Sequence, residues 1–183
     1  MSAFTDEMAK LGISTYSRFE AIRDVPGILG CTRSHAACVS AMIERGDRCW
    51  MICEDDARFL VSRAELDVLV QSFLDDDADA VCLAYHHLRP PMVYNRLFVR
   101  SAGDTRTSAC YLLKSSIAAD LLDLLEEGIA GLRAGGDRMK YGVDMIWEPL
   151  HHTHVFLLPV KRAVRQEDGY SDVEQKLVSY GGV

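Results

Sequence analysis

Short apolar runs alternate along this chain with segments in which apolar residues recur every three or four positions. The apolar runs predict strands, which lie at 16–22, 48–53, 80–85, 97–100, 108–113 and 155–158. The helical spacing predicts helices, which lie at 3–11, 34–45, 62–74, 115–126 and 143–147. Because strands and helices alternate, the pattern indicates an α/β domain with a mostly parallel central sheet.

Local signals mark several helix ends. Ser62, followed three residues later by Glu65, forms a capping-box pattern that opens a helix. Gly46 follows the helix at 34–45 and predicts its end, because glycine adopts the left-handed conformation found after many helices. In parallel sheets ligands bind at the carboxyl ends of strands, so polar side chains at those ends become site candidates.

Composition narrows the class of protein. The chain has 183 residues, which predicts a single domain spanning 1–183, and 49% of them are hydrophobic. The net charge is −7 with scattered lysines and arginines, which argues against a nucleic-acid surface. No apolar run approaches the roughly 20 residues of a membrane helix, and no signal peptide is visible at the start. The six cysteines form no Cys-x-x-Cys pair, so reduced core residues and a cytoplasmic location are expected.

The acidic triplet Glu54-Asp55-Asp56 directly follows the apolar run at 49–53. Adjacent carboxylates repel each other and resist burial, so at a strand end they indicate a bound positive charge. Oxygen ligands of this kind suit a hard divalent cation that also holds phosphate oxygens. A sugar-nucleotide diphosphate fits this description, and so does a metal-dependent hydrolase. A solvated loop is the alternative reading of this triplet, and it is the preferred reading of the second acidic triplet, at 75–77, which follows a helix.

Three further segments have two readings each. Residues 30–35, GCTRSH, are either a glycine turn with a helix cap or an anion site that uses Arg33 and free amides at a helix start. Asp144 lies inside an apolar segment and is either a helix N-cap or a catalytic carboxylate. The histidine-rich segment at 151–154 lacks the spacing of a zinc motif and is either a mixture of core and surface residues, the preferred reading, or the source of a single metal ligand.

Taken in order, these segments resemble glycosyltransferase family 25, which includes lipopolysaccharide-type galactosyl and glucosyl transferases and collagen galactosyltransferases. The resemblance covers roughly residues 8–175, and ICEDDARF at 52–59 is its most specific part. The other matching segments are RFEA at 18–21, GCTRSH at 30–35, TSACYLLK at 107–114, VD at 143–144 and QEDGYSD at 166–172, which follows Pro159.

The resemblance implies a GT-A-like nucleotide-sugar-binding fold and a metal-dependent, inverting transfer of galactose or glucose. The donor would be a UDP-sugar, the acceptor a hydroxyl group on a glycan or protein, and the cofactor Mn²⁺ or another divalent cation. Asp55 and Asp56 would bind the metal, and Asp144 would be the catalytic base. The donor-binding residues would be Gly30, Ser34, His35, Glu54, Thr107, Tyr111, Gln166 and Asp168.

The chain also departs from the family pattern. The apolar strand with which family members usually begin is absent before the first helix, and Lys114 replaces a serine. A catalytically impaired relative that serves as a binding or structural module is therefore the alternative hypothesis. Without that strand we expect an unpaired sheet edge, at 16–22 or an adjacent strand, covered by a second copy, another partner chain or a rearranged terminal segment.

Overall fold

The computed structural model describes residues 3–87, 89–103, 105–171, 173 and 176–179. The helices in these ranges are α1 Ala3–Lys10, α2 Gly27–Arg45, α3 Arg63–Leu74, α4 Ser115–Arg133, α5 Arg138–Tyr141, α6 Val143–Ile146 and the 3-10 helix Glu148–His152. The first strands are β1 Cys49–Cys53, β2 Ala57–Phe59, β3 Ala80–Cys82, β4 His86–His87, β5 Met92–Val93 and β6 Phe98–Arg100. The later strands are β7 Thr105–Arg106, β8 Cys110–Lys114, β9 Phe156–Pro159, β10 Val164–Gln166, β11 Gly169–Ser171 and β12 Lys176–Val178.

The central sheet has six strands in the order β1-β8-β3-β9-β6-β5. Only β3 and β9 pair in parallel, and every other neighbouring pair in this sheet is antiparallel. The α/β class is therefore confirmed, but the mostly parallel sheet was a wrong prediction. The physical reason is the position of β8, which lies between β1 and β3 and runs opposite to both. Alternation of strands and helices along the chain does not reveal such an insertion.

Helices cover both faces of this sheet, because the side chains of its strands alternate between two cores. In β8, Tyr111 and Leu113 join the core beneath α2 and α4, whereas Cys110 and Leu112 join the core beneath α1 and α3. β3 alternates in the same way. Within the described ranges, no helix combines the length and apolar character that a membrane span requires.

Helix ends that depend on local signals are confirmed. Ser62 caps α3 with the reciprocal Glu65 contact, and Gly46 ends α2 in the left-handed conformation. The start of α2 differs, because this helix begins at Gly27 rather than at Ser34. Ile28 and Leu29 are buried in the added turn, so tertiary packing overrides the weak helix propensity of the glycines.

The strand predicted at 16–22 is wrong, because residues 13–24 have no regular secondary structure. The apolar side chains of this segment make other contacts or face solvent. The ring of Tyr16 packs edge-on against Phe4 with centroids 6.0 Å apart, and Phe19 is exposed. As a result no strand from this segment pairs with β1, which is one of the two edge strands of the sheet.

Candidate functional site

The acidic triplet forms the turn between β1 and β2. Glu54 begins this turn, and its backbone N–H donates to Ala109 O at 2.8 Å, which continues the pairing of β1 with β8. The turn therefore lies beside the segment that leads into β8. Residues 107 and 108 in that segment supply the next contacts of the site.

The carboxylate of Glu54 is held by two neighbours. Its Oε1 atom accepts a hydrogen bond from Ser108 Oγ at 2.6 Å and lies 3.3 Å from His35 Nε2. Burial raises the pKa of Glu54, but the His35 contact and the Ser108 hydrogen bond outweigh burial and leave that pKa below its ordinary value. Glu54 is therefore a carboxylate at neutral pH.

His35 connects Glu54 to the core. It lies on α2, is buried, and its Nδ1 atom is 2.9 Å from the hydroxyl of Tyr111. The Tyr111 ring in turn packs edge-on against Trp147 with centroids 5.4 Å apart. Burial raises the pKa of the Tyr111 hydroxyl well above its ordinary value, so this group stays a neutral phenol. His35 is thus fixed in orientation between Tyr111 and Glu54.

Asp56 has one satisfied carboxylate oxygen and one unsatisfied one. Oδ2 accepts a hydrogen bond of 2.9 Å from Gln166 Nε2, whereas the buried Oδ1 has no hydrogen-bond partner among the described residues. Burial and the charge of Glu54 raise the pKa of Asp56 to about 6, although the Gln166 hydrogen bond opposes this shift. An unpaired buried carboxylate oxygen is costly, so Oδ1 is suited to receive a cation or a ligand donor.

Thr107 joins Gln166 to Asp144. Its hydroxyl donates to Gln166 Oε1 at 3.0 Å, and its backbone N–H donates to Asp144 Oδ2 at 3.2 Å. Thr107 has a φ of 76°, and a non-glycine residue held in this region costs on the order of 1–3 kcal/mol. Asp144 is the second residue of α6, whose N-cap is Gly142, so its carboxylate contacts another segment instead of capping.

Cys31 is a site residue that the sequence analysis missed. It precedes His35 by one turn of α2, and its Sγ atom lies within 4.8 Å of ligand atoms of His35 and Glu54. Burial, and then the nearby carboxylates of Glu54, Asp144 and Asp56, raise the pKa of this thiol well above its ordinary value. The i, i+4 spacing of Cys31 and His35 was visible in the sequence. It indicates a cluster of metal-ligand atoms only once the structure places Glu54 opposite the two side chains.

Gly30 and Ser34 lie inside α2, so both interpretations of this segment, a glycine turn with a helix cap and an anion site at a helix start, are wrong. Their contacts fix the preceding segment to the helix. Ser34 Oγ accepts from the Ile22 N–H at 2.9 Å and donates to the Gly30 carbonyl at 2.8 Å. A Cβ atom at Gly30 would lie 2.5 Å from Ile22 O, so glycine is needed for this close approach.

Asp55 and Asp168 occupy the outer part of the region. Asp55 is exposed in the turn that follows β1. Asp168 is exposed between β10 and β11 and accepts a hydrogen bond of 2.8 Å from Ser179 Oγ. Glu167 ties this segment to the triplet, because it forms an ion pair with Arg58 and its N–H donates to Asp56 O at 2.9 Å. Residue 172 of the closing motif lies outside the described residues.

The histidines at 151–154 are divided between core and surface, which confirms the sequence interpretation. His151 is buried and stacks on Phe156 with ring centroids 3.9 Å apart. His154 Nε2 lies 3.4 Å from Asp120, and His152 is exposed.

The site as a whole combines three carboxylates, a thiol and an imidazole from separate segments of the chain. Hydrogen bonds link Asp56, Gln166, Thr107 and Asp144 in series. Such an arrangement can bind a cation and can accept a proton. The chain matches no protein-family model, and no curated protein is significantly similar to it.

Proposed function

We propose that this protein is a glycosyltransferase that moves a hexosyl group, galactose or glucose, from a UDP-sugar to a hydroxyl acceptor with inversion. A GT-A-type fold is part of this proposal. The observation that carries it is the series of hydrogen bonds from Asp56 through Gln166 and Thr107 to Asp144. Three motifs that resemble glycosyltransferase family 25 are far apart in sequence and converge in this series, together with the acidic triplet.

Asp55 and Asp56 are the proposed ligands of Mn²⁺ or a similar hard cation. The unpartnered Oδ1 atom of Asp56 fits this role, since it is a buried oxygen without a hydrogen-bond partner in the described part of the chain. Two carboxylates suffice for such an ion, because phosphate oxygens and water complete its coordination. When bound, such an ion would supply positive charge opposite the negative charge of the departing diphosphate. Glu54 adds negative charge beside Asp56.

Asp144 is the proposed general base. Its Oδ2 atom is occupied by the Thr107 N–H, and Oδ1 has no hydrogen bond to a described residue, which leaves this oxygen for the acceptor hydroxyl. In the reaction the hydroxyl proton passes to the carboxylate while the acceptor oxygen bonds to the anomeric carbon. The bond from that carbon to the UDP oxygen breaks on the opposite face, which gives inversion.

The other residues hold these groups in position. Gln166 orients Asp56 by donating to Oδ2, and His35, Tyr111 and Glu54 form one rigid wall of the donor pocket.

Gly30 and Ser34 act indirectly, by fixing the preceding segment to α2. Asp168 is assigned to the donor only through the resemblance.

The alternative proposal is a catalytically impaired relative that binds a ligand or partner without turnover. One observation favours it: Glu54 is already engaged by Ser108 and His35, and Asp55 points to solvent rather than completing a ligand cluster. A metal-dependent hydrolase would use the same carboxylates, but it gives no role to the Gln166 segment.

Thermal unfolding with UDP and Mn²⁺, separately and together, tests the proposal. We expect stabilisation only from the combination, because a ligand that binds the native state raises its stability by mass action, by about 2.7 kcal/mol at a hundredfold excess over Kd. The double variant Asp55→Asn/Asp56→Asn should lose this response. Asp75→Asn/Asp77→Asn, which removes the same charge from the other acidic triplet, should keep it. An equal response in both variants contradicts the assignment.

A further inference from the structure

Cys31, His35 and Glu54 place three different metal-ligand atoms in one part of the site. Cys31 and His35 are four residues apart on α2, so their side chains lie on the same face of the helix. Glu54 faces them from the end of β1, with Oε1 at 3.3 Å from His35 Nε2. The three ligand atoms lie within 4.8 Å of one another, and no other such cluster exists in the described ranges of the chain.

We propose that Cys31, His35 and Glu54 bind a thiophilic divalent cation such as Zn²⁺, at a site separate from the oxygen ligands Asp55 and Asp56. Thiolate, imidazole and carboxylate are the ligand types of zinc sites, and three protein ligands leave a fourth position open. Bonds of about 2.0–2.3 Å in tetrahedral geometry separate the ligand atoms by roughly 3.3–3.8 Å. The ligand atoms, which lie within 4.8 Å of one another, therefore need to approach by about 1.5 Å at most.

The surroundings of the cluster suit a metal site. His35 Nδ1 lies 2.9 Å from the Tyr111 hydroxyl, and a ligating histidine almost always donates its second ring N–H to an acceptor oxygen. Ser108 donates to Glu54 Oε1, whereas Oε2 has no hydrogen bond to any residue that the structure describes. Oε2 can thus turn to the cation while Oε1 keeps its contact with Ser108.

Metal binding requires a defined protonation state at two ligands. The Cys31 thiol must release its proton to solvent, because the thiolate is the ligand. The His35 ring must carry its proton on Nδ1, directed at Tyr111, so that the Nε2 lone pair is free. The cation then binds the Nε2 lone pair of His35 together with Oε2 of Glu54 and the Cys31 thiolate.

This inference does not depend on the proposed transferase activity. The thiol excludes Mn²⁺ as the preferred occupant, because hard cations favour oxygen ligands and softer cations favour thiolate. Glu54 would belong to the thiophilic site and also lies beside Asp56, so the two cations would repel each other. If the protein is a transferase, Zn²⁺ should therefore inhibit it.

Titration of the purified protein with Co²⁺, a spectroscopic substitute for Zn²⁺, tests the site. The wild type should bind one Co²⁺ per chain, with a thiolate-to-cobalt charge-transfer band in the near ultraviolet and visible bands of tetrahedral intensity. One equivalent of Zn²⁺ should displace it. Cys31→Ser should abolish the charge-transfer band and weaken Zn²⁺ binding at least about tenfold, the lower bound for losing even a supporting contact at a metal site.

Cys38→Ser is the matched control, because Cys38 is a partly buried free thiol on the same helix. This variant should retain the band and the affinity. Glu54→Gln should retain the band but weaken Zn²⁺ binding, which keeps the test informative if Cys31→Ser folds poorly. A band that is absent from the wild type, survives Cys31→Ser or disappears with Cys38→Ser overturns the proposal.

Discussion

The side-chain amide of Gln166 donates a hydrogen bond of 2.9 Å to Asp56 Oδ2, although 110 positions separate the two residues. An amide side chain also carries an acceptor, and Gln166 Oε1 receives the hydroxyl of Thr107 at 3.0 Å. The orientation of Gln166 is therefore set from both ends. Through Thr107 it couples Asp56, the proposed metal ligand, to Asp144, the proposed base.

Asp56→Asn should stabilise the metal-free protein above about pH 7. Burial and the charge of Glu54 raise the pKa of Asp56 from 3.8 to about 6, so folding favours the protonated carboxyl. The stability that this group contributes is fully present below its pKa in the unfolded chain. It is lost as the pH rises through the pKa in the folded protein, a change in unfolding free energy on the order of 3 kcal/mol. Urea unfolding with a chelator, from about pH 4 to about pH 8, measures it.

Asp55→Asn is the control for this experiment, because it removes the same charge from an exposed position next to Asp56. The pH dependence of its unfolding free energy should follow that of the wild type more closely than the pH dependence of Asp56→Asn does. If the unfolding free energies of the wild type and Asp56→Asn change in parallel across this pH range, ionisation of Asp56 does not destabilise the folded protein.

Asp144→Asn should lower turnover and leave donor affinity nearly unchanged. The asparagine side-chain oxygen can still accept the Thr107 N–H, so the local structure is retained, but it cannot take the proton of the acceptor hydroxyl. Loss of a general base typically costs about 10²–10⁴-fold in rate. Steady-state kinetics on an identified acceptor, with calorimetry of UDP and Mn²⁺ binding, separate the two effects. Full turnover by the variant would remove Asp144 from the mechanism.

Features set by neighbouring residues were predictable from the sequence, and features set by distant pairing were not. The capping box at Ser62 and the end of α2 at Gly46 depend on a few adjacent residues, and both are confirmed. The position of β8 between β1 and β3 depends on pairing between segments more than 25 residues apart, and no local pattern records it. The prediction of a mostly parallel sheet was wrong for this reason.

The candidate site follows the same division. Glu54, Asp56 and Asp144 were found because carboxylates at strand ends or in apolar segments require an explanation. Cys31 and Ser108 were missed, because a cysteine in an apolar helix usually belongs to the core and a serine before a strand carries no signal. Their roles appear only where α2, β1 and the segment before β8 meet.

Gly30→Ala should destabilise the protein, although alanine in place of glycine within a helix usually stabilises by about 0.5–1 kcal/mol. The new Cβ atom would lie 2.5 Å from Ile22 O and 3.0 Å from Asp24 N, and neither backbone atom can rotate away. We expect a loss of about 1–3 kcal/mol, as in other overpacked sites. Chemical denaturation measures this change, and limited proteolysis should cut the displaced segment at Arg23 faster.

Gly169→Ala provides the comparison, because no heavy atom lies within 4 Å of its Cβ position. This variant should have near wild-type stability. If Gly30→Ala is equally well tolerated, the segment at 22–24 yields easily and the close approach does not require glycine.

The outer edge of β1 should be covered by a second copy of the chain. Ser115 N donates to Arg48 O, and Glu54 N donates to Ala109 O, so alternate residues of this antiparallel strand bond to β8. The intervening backbone groups point outward, and none has a backbone hydrogen bond to another described residue. They belong to Cys49, Met51 and Cys53. Proteins normally cover or block such an edge.

Met51→Pro tests this edge directly, because proline removes the outward N–H of that residue while the bonds of its neighbours to β8 remain. Analytical ultracentrifugation should show a dimer for the wild type and a monomer for Met51→Pro. Met51→Ala, which trims the side chain but keeps the amide, should remain dimeric, so that the amide and not the side chain accounts for the change. A wild-type monomer that binds UDP with submicromolar affinity would show that the bare edge is tolerated and that donor binding needs no further strand.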